Sequence, residues 1–161
     1  MDDQGYREQL VRLLEGDDAR MRFEAAVADF PDAGINAFAP NVAYTPWHLV
    51  EHLRITQRDI LDYIVDPDYR EPPWPDAYWP PRDAVATPAQ FAASVAAFLS
   101  DRDALRALAL DPARDLLAPM PNTPGHSIAR EIRIAGDHCS YHVGEFAVLR
   151  QVMGTWPPDH T

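Results

Sequence analysis

Asp137-His138-Cys139-Ser140-Tyr141-His142-Val143-Gly144-Glu145 lies inside the last long apolar-periodic segment of the chain, and the fold is read outward from it. Ile128, Ala135, His142 and Leu149 repeat at seven, with Ile132, Cys139, Phe146 and Met153 as a companion row. That period is helical, so His142 falls in the middle of a stripe that faces a core and His138 toward its flank. Two residues four apart on a helix are about 40° from each other around the axis and about 6 Å along it. One metal ion is therefore within reach of both imidazoles. Imidazoles are costly to bury in an apolar seam unless their nitrogens find partners, and neighbouring side chains are the alternative to a metal.

Upstream, Thr45-Pro46-Trp47-His48 predicts a helix start, with a capping hydroxyl followed by proline where its missing N–H costs nothing. The helix runs to about Val65 with Leu49, His52, Leu53, Thr56, Ile60, Tyr63 and Ile64 as its inward stripe. Thr87-Pro88-Ala89-Gln90 has the spacing of a capping box. It opens a helix to about Leu110 whose apolar stripe, Phe91, Val95, Phe98, Leu99, Leu105 and Leu108, holds no titratable residue and reads as structural. Residues 3–30 are also helical in period, interrupted at Gly16-Asp17-Asp18, which predicts a kink or two short helices. The final helix is expected from Pro124 or Ser127 to Met153 or Gly154. Four helical segments with no strand alternation predict an all-α four-helix bundle with long Pro-rich connections. Residues 66–87 carry Trp74, Tyr78 and Trp79, which either cover the side of the bundle or edge a pocket.

The 161 residues fit one domain, 1–161, with a core that needs no staples. A single cysteine excludes an intramolecular disulfide framework. No apolar run reaches membrane-spanning length and the N-terminus has no signal-peptide pattern, so a soluble cytoplasmic protein is expected. A formal charge of −11 repels phosphate backbones and anionic membranes, so neither nucleic acid nor a membrane is expected as a partner. The expected partner is a small-molecule substrate. All 14 basic residues are arginine, which removes lysine Schiff-base chemistry and the P-loop lysine.

His52 on the second helical segment and His138 with His142 on the last supply three nitrogens that a bundle core brings together around a divalent transition metal. Three protein ligands leave a coordination position open for water or substrate, the arrangement of a catalytic site. Glu145, three residues beyond His142, is expected as general base or as the acceptor for a ligating imidazole's N–H. Asp137 and Glu131 are weaker candidates for such support. His48 is geometrically allowed as a fourth ligand, but its place in the first turn at the stripe's margin points to a solvent-facing or supporting role. Cys139 falls on the opposite edge of the stripe and reads as a buried, inert residue, His126 and His160 as surface. Tyr141 and Arg150 are free to orient a substrate, although no spacing demands it.

With these residues in view the chain resembles the DinB/YfiT-like family of small four-helix-bundle metalloenzymes, over nearly its whole length. The likeness is clearest in Thr45-Pro46-Trp47-His48-Leu49-Val50-Glu51-His52-Leu53, in Trp74-Pro75-Asp76-Ala77-Tyr78-Trp79-Pro80, and from Asp137 through Leu149-Arg150 to Gly154-Thr155-Trp156. The resemblance implies a zinc, nickel or manganese ion on His52, His138 and His142. It also implies thiol-dependent S-transferase or isomerase chemistry with a low-molecular-weight thiol, and it allows a homodimer. Where the family often has Gly-Gln after the last ligand, this chain has Gly144-Glu145, which adds a negative charge near the site. Three functions follow: a metal-dependent transferase or hydrolase, a non-catalytic metal-binding dimer associated with stress, and a bundle with no physiological metal.

Overall fold

The structure is a computed structural model that describes residues 3–121 and 123–159; His160 lies outside them. Its α-helices are α1 Asp3–Glu15, α2 Phe23–Val27, α3 Pro46–Val65, α4 Pro88–Leu110 and α5 Ile128–Met153, with 3-10 turns at Asp32–Gly34 and Asp76–Tyr78. Among the described residues there is no β-strand, only an isolated bridge between Met120 and Thr123. The fold is all-α, as the periodicity predicts. α3 packs against α4 and α5, and α1 against the same two helices, so α1 and α3 take opposite corners of the bundle. Among the described residues no helix is long and apolar enough to cross a membrane.

The helix boundaries follow local chemistry. Thr45 Oγ1 accepts the His48 N–H at 3.2 Å, and Thr87 Oγ1 accepts the Gln90 N–H at 3.2 Å while Gln90 returns the bond to the Thr87 N–H at 2.8 Å. Ser127 caps α5 through the Arg130 N–H at 3.3 Å, and Gly154, at φ 63°, closes it in the left-handed conformation glycine adopts at little cost. The predicted interruption falls at Gly16, whose φ of 82° ends α1. α2 follows after seven further residues.

Three arginines finish the C-terminal ends of α1, α2 and α4, which explains part of the chain's preference for arginine. Arg20 donates to the Leu13 and Leu14 carbonyls of α1 at 3.0 and 2.8 Å. Arg150, fully buried, donates to Ala26 and Ala28 at the end of α2 at 2.8 and 2.7 Å. Arg7 reaches Ala109, Asp111 and Arg114 at the end of α4 at 2.9, 2.9 and 2.6 Å. A guanidinium presents several donors in one plane and carries its charge to the negative end of the helix dipole. Arg150 is thus a structural residue and not one that faces a substrate.

Two features of the helix faces differ from the sequence reading. α4 buries Asp101 and Arg102: Arg102 forks onto Glu24 of α2 at 3.0 and 2.6 Å, and Arg58 of α3 reaches Asp101 at 3.1 Å. The partners come from other helices, so the period of α4 alone carries no sign of them. On α3, Val50, Gln57 and Leu61 are buried while Ile60, Tyr63 and Ile64 are half-buried. The helix is flanked by α4 and α5 together, and its covered face is broader and turned from the predicted stripe.

Candidate metal centre

α3 and α5 pack side by side, and their contact brings together the three histidines that the period selects. His52 and His142 are buried and His138 is half-buried, with one nitrogen from each lying within 4.8 Å of the others. Nε2 of His52 is 3.1 Å from Nε2 of His138. The rings meet edge-on, with centroids 4.5 to 5.0 Å apart.

Each ring is held from behind by its other nitrogen. His52 Nδ1 donates to the Tyr78 carbonyl at 2.7 Å. Thr56 Oγ1 gives its proton to the His52 carbonyl at 2.8 Å and accepts from His138 Nδ1 at 3.3 Å. His142 Nδ1 donates to Glu145 Oε2 at 2.6 Å, and the other carboxylate oxygen accepts the Tyr44 hydroxyl. With their Nδ1 atoms protonated, His52 and His138 turn the lone pairs of their Nε2 atoms toward each other. Two bare nitrogens at 3.1 Å repel unless a cation stands between them. A tetrahedral zinc site with Zn–N of about 2.0–2.1 Å puts its nitrogens about 3.3 Å apart, close to the His52–His138 spacing, and a bound ion would draw together the rest of a set that lies within 4.8 Å.

Electrostatics favour the same state. Burial pushes His52 down to about 4, with the Tyr78 carbonyl opposing and His142 assisting. His138 is pushed down to about 3, by burial first and then by its two histidine neighbours. Both are neutral near pH 7, the form that ligates metals. Tyr44 is raised by burial and by its bond to Glu145, so its phenol stays protonated.

The other described histidines, His48 and His126, are elsewhere. His48 is buried rather than solvent-facing and belongs to the cap: Nδ1 accepts the Thr45 N–H at 3.3 Å and Nε2 donates to the Ala84 carbonyl at 2.9 Å. Both nitrogens are committed, and it stands outside the cluster. His126 is half-buried, bonded to the Tyr63 hydroxyl at 2.8 Å and 3.6 Å from Glu131. Glu131 is buried there and also pairs with Arg130, so it supports that group and not the three histidines. Asp137 is exposed, and Cys139 is buried with its thiol pushed up by burial, an inert core residue as expected.

The aromatic loop does both things its composition suggested. Trp79 stacks on His52 with centroids 3.9 Å apart and planes 5° from parallel, Tyr78 is buried, and Trp74 is 69% exposed. Trp79, Tyr44, His48, Asp76 and Arg82 line a cleft of about 560 Å³ beside the cluster. A second cleft, about 420 Å³, reaches Glu145 from the other side between Tyr44 and Tyr141. Tyr44, Thr56 and the Tyr78 carbonyl were not found by motif. Thr56 alone had a signal, since it stands four residues after His52 in the same stripe.

A family model described as the DinB superfamily matches residues 15–146, which takes in all three histidines, Glu145 and the aromatic loop. The chain belongs to the DinB superfamily. No curated protein and no solved structure matches it. Membership agrees with the all-helical fold, and the DinB match together with the histidine cluster fits a metal-binding site.

Proposed function

We propose that this DinB superfamily protein is a metal-dependent enzyme acting on a small molecule, as a thiol-dependent S-transferase or a hydrolase. His52, His138 and His142 hold a zinc, nickel or manganese ion through Nε2. The observation that supports this reading is one nitrogen from each of the three histidines lying within 4.8 Å of the others, with a hydrogen-bond partner on each Nδ1. When bound, the ion supplies Lewis acidity that keeps a thiol or a water in its anionic form at neutral pH. The chain's own residues prepare the site. Glu145 holds the Nδ1 proton of His142 and makes its Nε2 a stronger donor, with Tyr44 fixing the carboxylate, while Trp79 keeps water off one face of His52. A substrate of modest size enters by the cleft that Trp79 and Tyr44 edge.

The test is turnover by metal-loaded protein against small electrophiles with added thiols, and against esters. Activity that disappears in His142→Ala with helical circular dichroism unchanged is the expected result; activity retained in that variant, or inert wild-type protein across both panels, contradicts it. A non-catalytic metal-binding dimer draws its support from exposed Tyr141, Val148 and Val152 on α5 and exposed Trp74. Inert but metal-loaded protein that sediments as a dimer favours that reading.

A further inference from the structure

Asp59 is two helical turns beyond His52 on α3, about 10 Å along the axis and on the same face. It takes no part in the histidine cluster, yet both of its carboxylate oxygens are used. Oδ1 accepts the Tyr69 hydroxyl at 2.7 Å and Oδ2 accepts the Tyr78 hydroxyl at 2.9 Å. Tyr78 also touches α3 at its other end, where its backbone carbonyl accepts His52 Nδ1 at 2.7 Å. The residue lies along the helix like a bar fastened at two points. The next residue is Trp79, which stacks on the other part of the same imidazole.

We propose that Asp59 is a positioning residue for the metal centre: by anchoring the Tyr78 phenol it sets the Tyr78 carbonyl and the Trp79 ring, and these fix the tautomer and plane of His52. The chemistry requires such a device. Residues 66–87 form a long connection with only one short 3-10 turn, and a carbonyl on such a segment holds a defined direction only when its neighbours are pinned. Asp59 supplies the pin from the rigid helix that carries His52 itself. Tyr69 shares the carboxylate and its hydroxyl also bonds that of Tyr78, so it steadies the same anchor from the loop.

The affinity part of this inference rests on the three-histidine metal reading; the tautomer part does not. The experiment uses Tyr78→Phe, Asp59→Ala, their double variant and Tyr69→Phe, with two readouts. One is the His52 tautomer and Nδ1–H exchange rate in metal-free protein by ¹⁵N NMR of the ring. The other is zinc affinity by competition with a chromogenic chelator. Urea midpoints are taken alongside. Wild-type His52 is expected as the Nδ1–H tautomer with a slowly exchanging proton. Tyr78→Phe and Asp59→Ala speed that exchange and weaken zinc binding roughly tenfold. The double variant is no weaker than either, since both act through one path. Tyr69→Phe leaves Tyr78 its own bond to Asp59, and it changes both His52 readouts less than Tyr78→Phe does. Tyr78→Phe that lowers the urea midpoint and leaves His52 unaffected would overturn the proposal. Wild-type protein that binds no zinc while its His52 exchange still responds to Tyr78→Phe would sink the metal reading and keep the positioning role.

Discussion

His52 and His138 titrate at about 4 and about 3, whereas a histidine in the unfolded chain titrates near 6.5. Below pH 6.5 the unfolded chain takes up protons that the folded one refuses, so stability is lost as pH falls from 6.5 toward those values and is fully present above it. Metal-free protein is expected to lose urea stability between pH 6.5 and 4.5 more steeply than the His52→Gln/His138→Gln double variant. Parallel slopes would contradict the burial argument. Glu24 and Glu51, both held below the ordinary carboxylate range, add their own acid sensitivity at lower pH and do so in both proteins. Glu145→Gln keeps the shape of the side chain but weakens the acceptor on His142 Nδ1. About 10–100-fold weaker zinc binding is the expected outcome in the same competition assay. At this scale the three histidines were legible because their spacing and stripe position are properties of one helix each. The fate of His48 was not, because the Ala84 carbonyl that takes its Nε2 proton comes from a loop distant in sequence.

Helix α5 meets α1 at Gly136, where an added Cβ would come within 2.5 Å of Leu13 Cγ and 3.3 Å of the Leu13 backbone. Alanine has the higher helix propensity, yet Gly136→Ala is expected to cost about 1–3 kcal/mol in urea unfolding because the two helices must separate. A stabilising effect would show that the contact is loose. Arg150→Lys keeps the charge but cannot reach the Ala26, Ala28 and Thr155 carbonyls together, and a loss of about 2–4 kcal/mol is expected. Helix starts were readable from Thr45-Pro46 and Thr87-Pro88 because N-terminal caps are local. The C-terminal arginine caps were hidden because Arg7 and Arg150 act on helices more than 100 residues away in sequence. Separations of 43 and 78 residues hid the partners of Asp101 and Arg102, and made a structural helix of α4 in the sequence reading when it also carries buried charge.

The whole molecule combines a net charge of −11 with three imidazoles gathered between α3 and α5. A cation bound there by the native state alone raises the melting temperature with metal concentration, and a chelator reverses the rise. The most direct measurement is the metal content of untagged protein by inductively coupled plasma mass spectrometry, beside His52→Ala and His142→Ala. The three-histidine site predicts about one equivalent of a single transition metal in wild-type protein, lost in both variants while helical circular dichroism persists. Wild-type protein that stays metal-free and equally stable after incubation with zinc, nickel or manganese would contradict it.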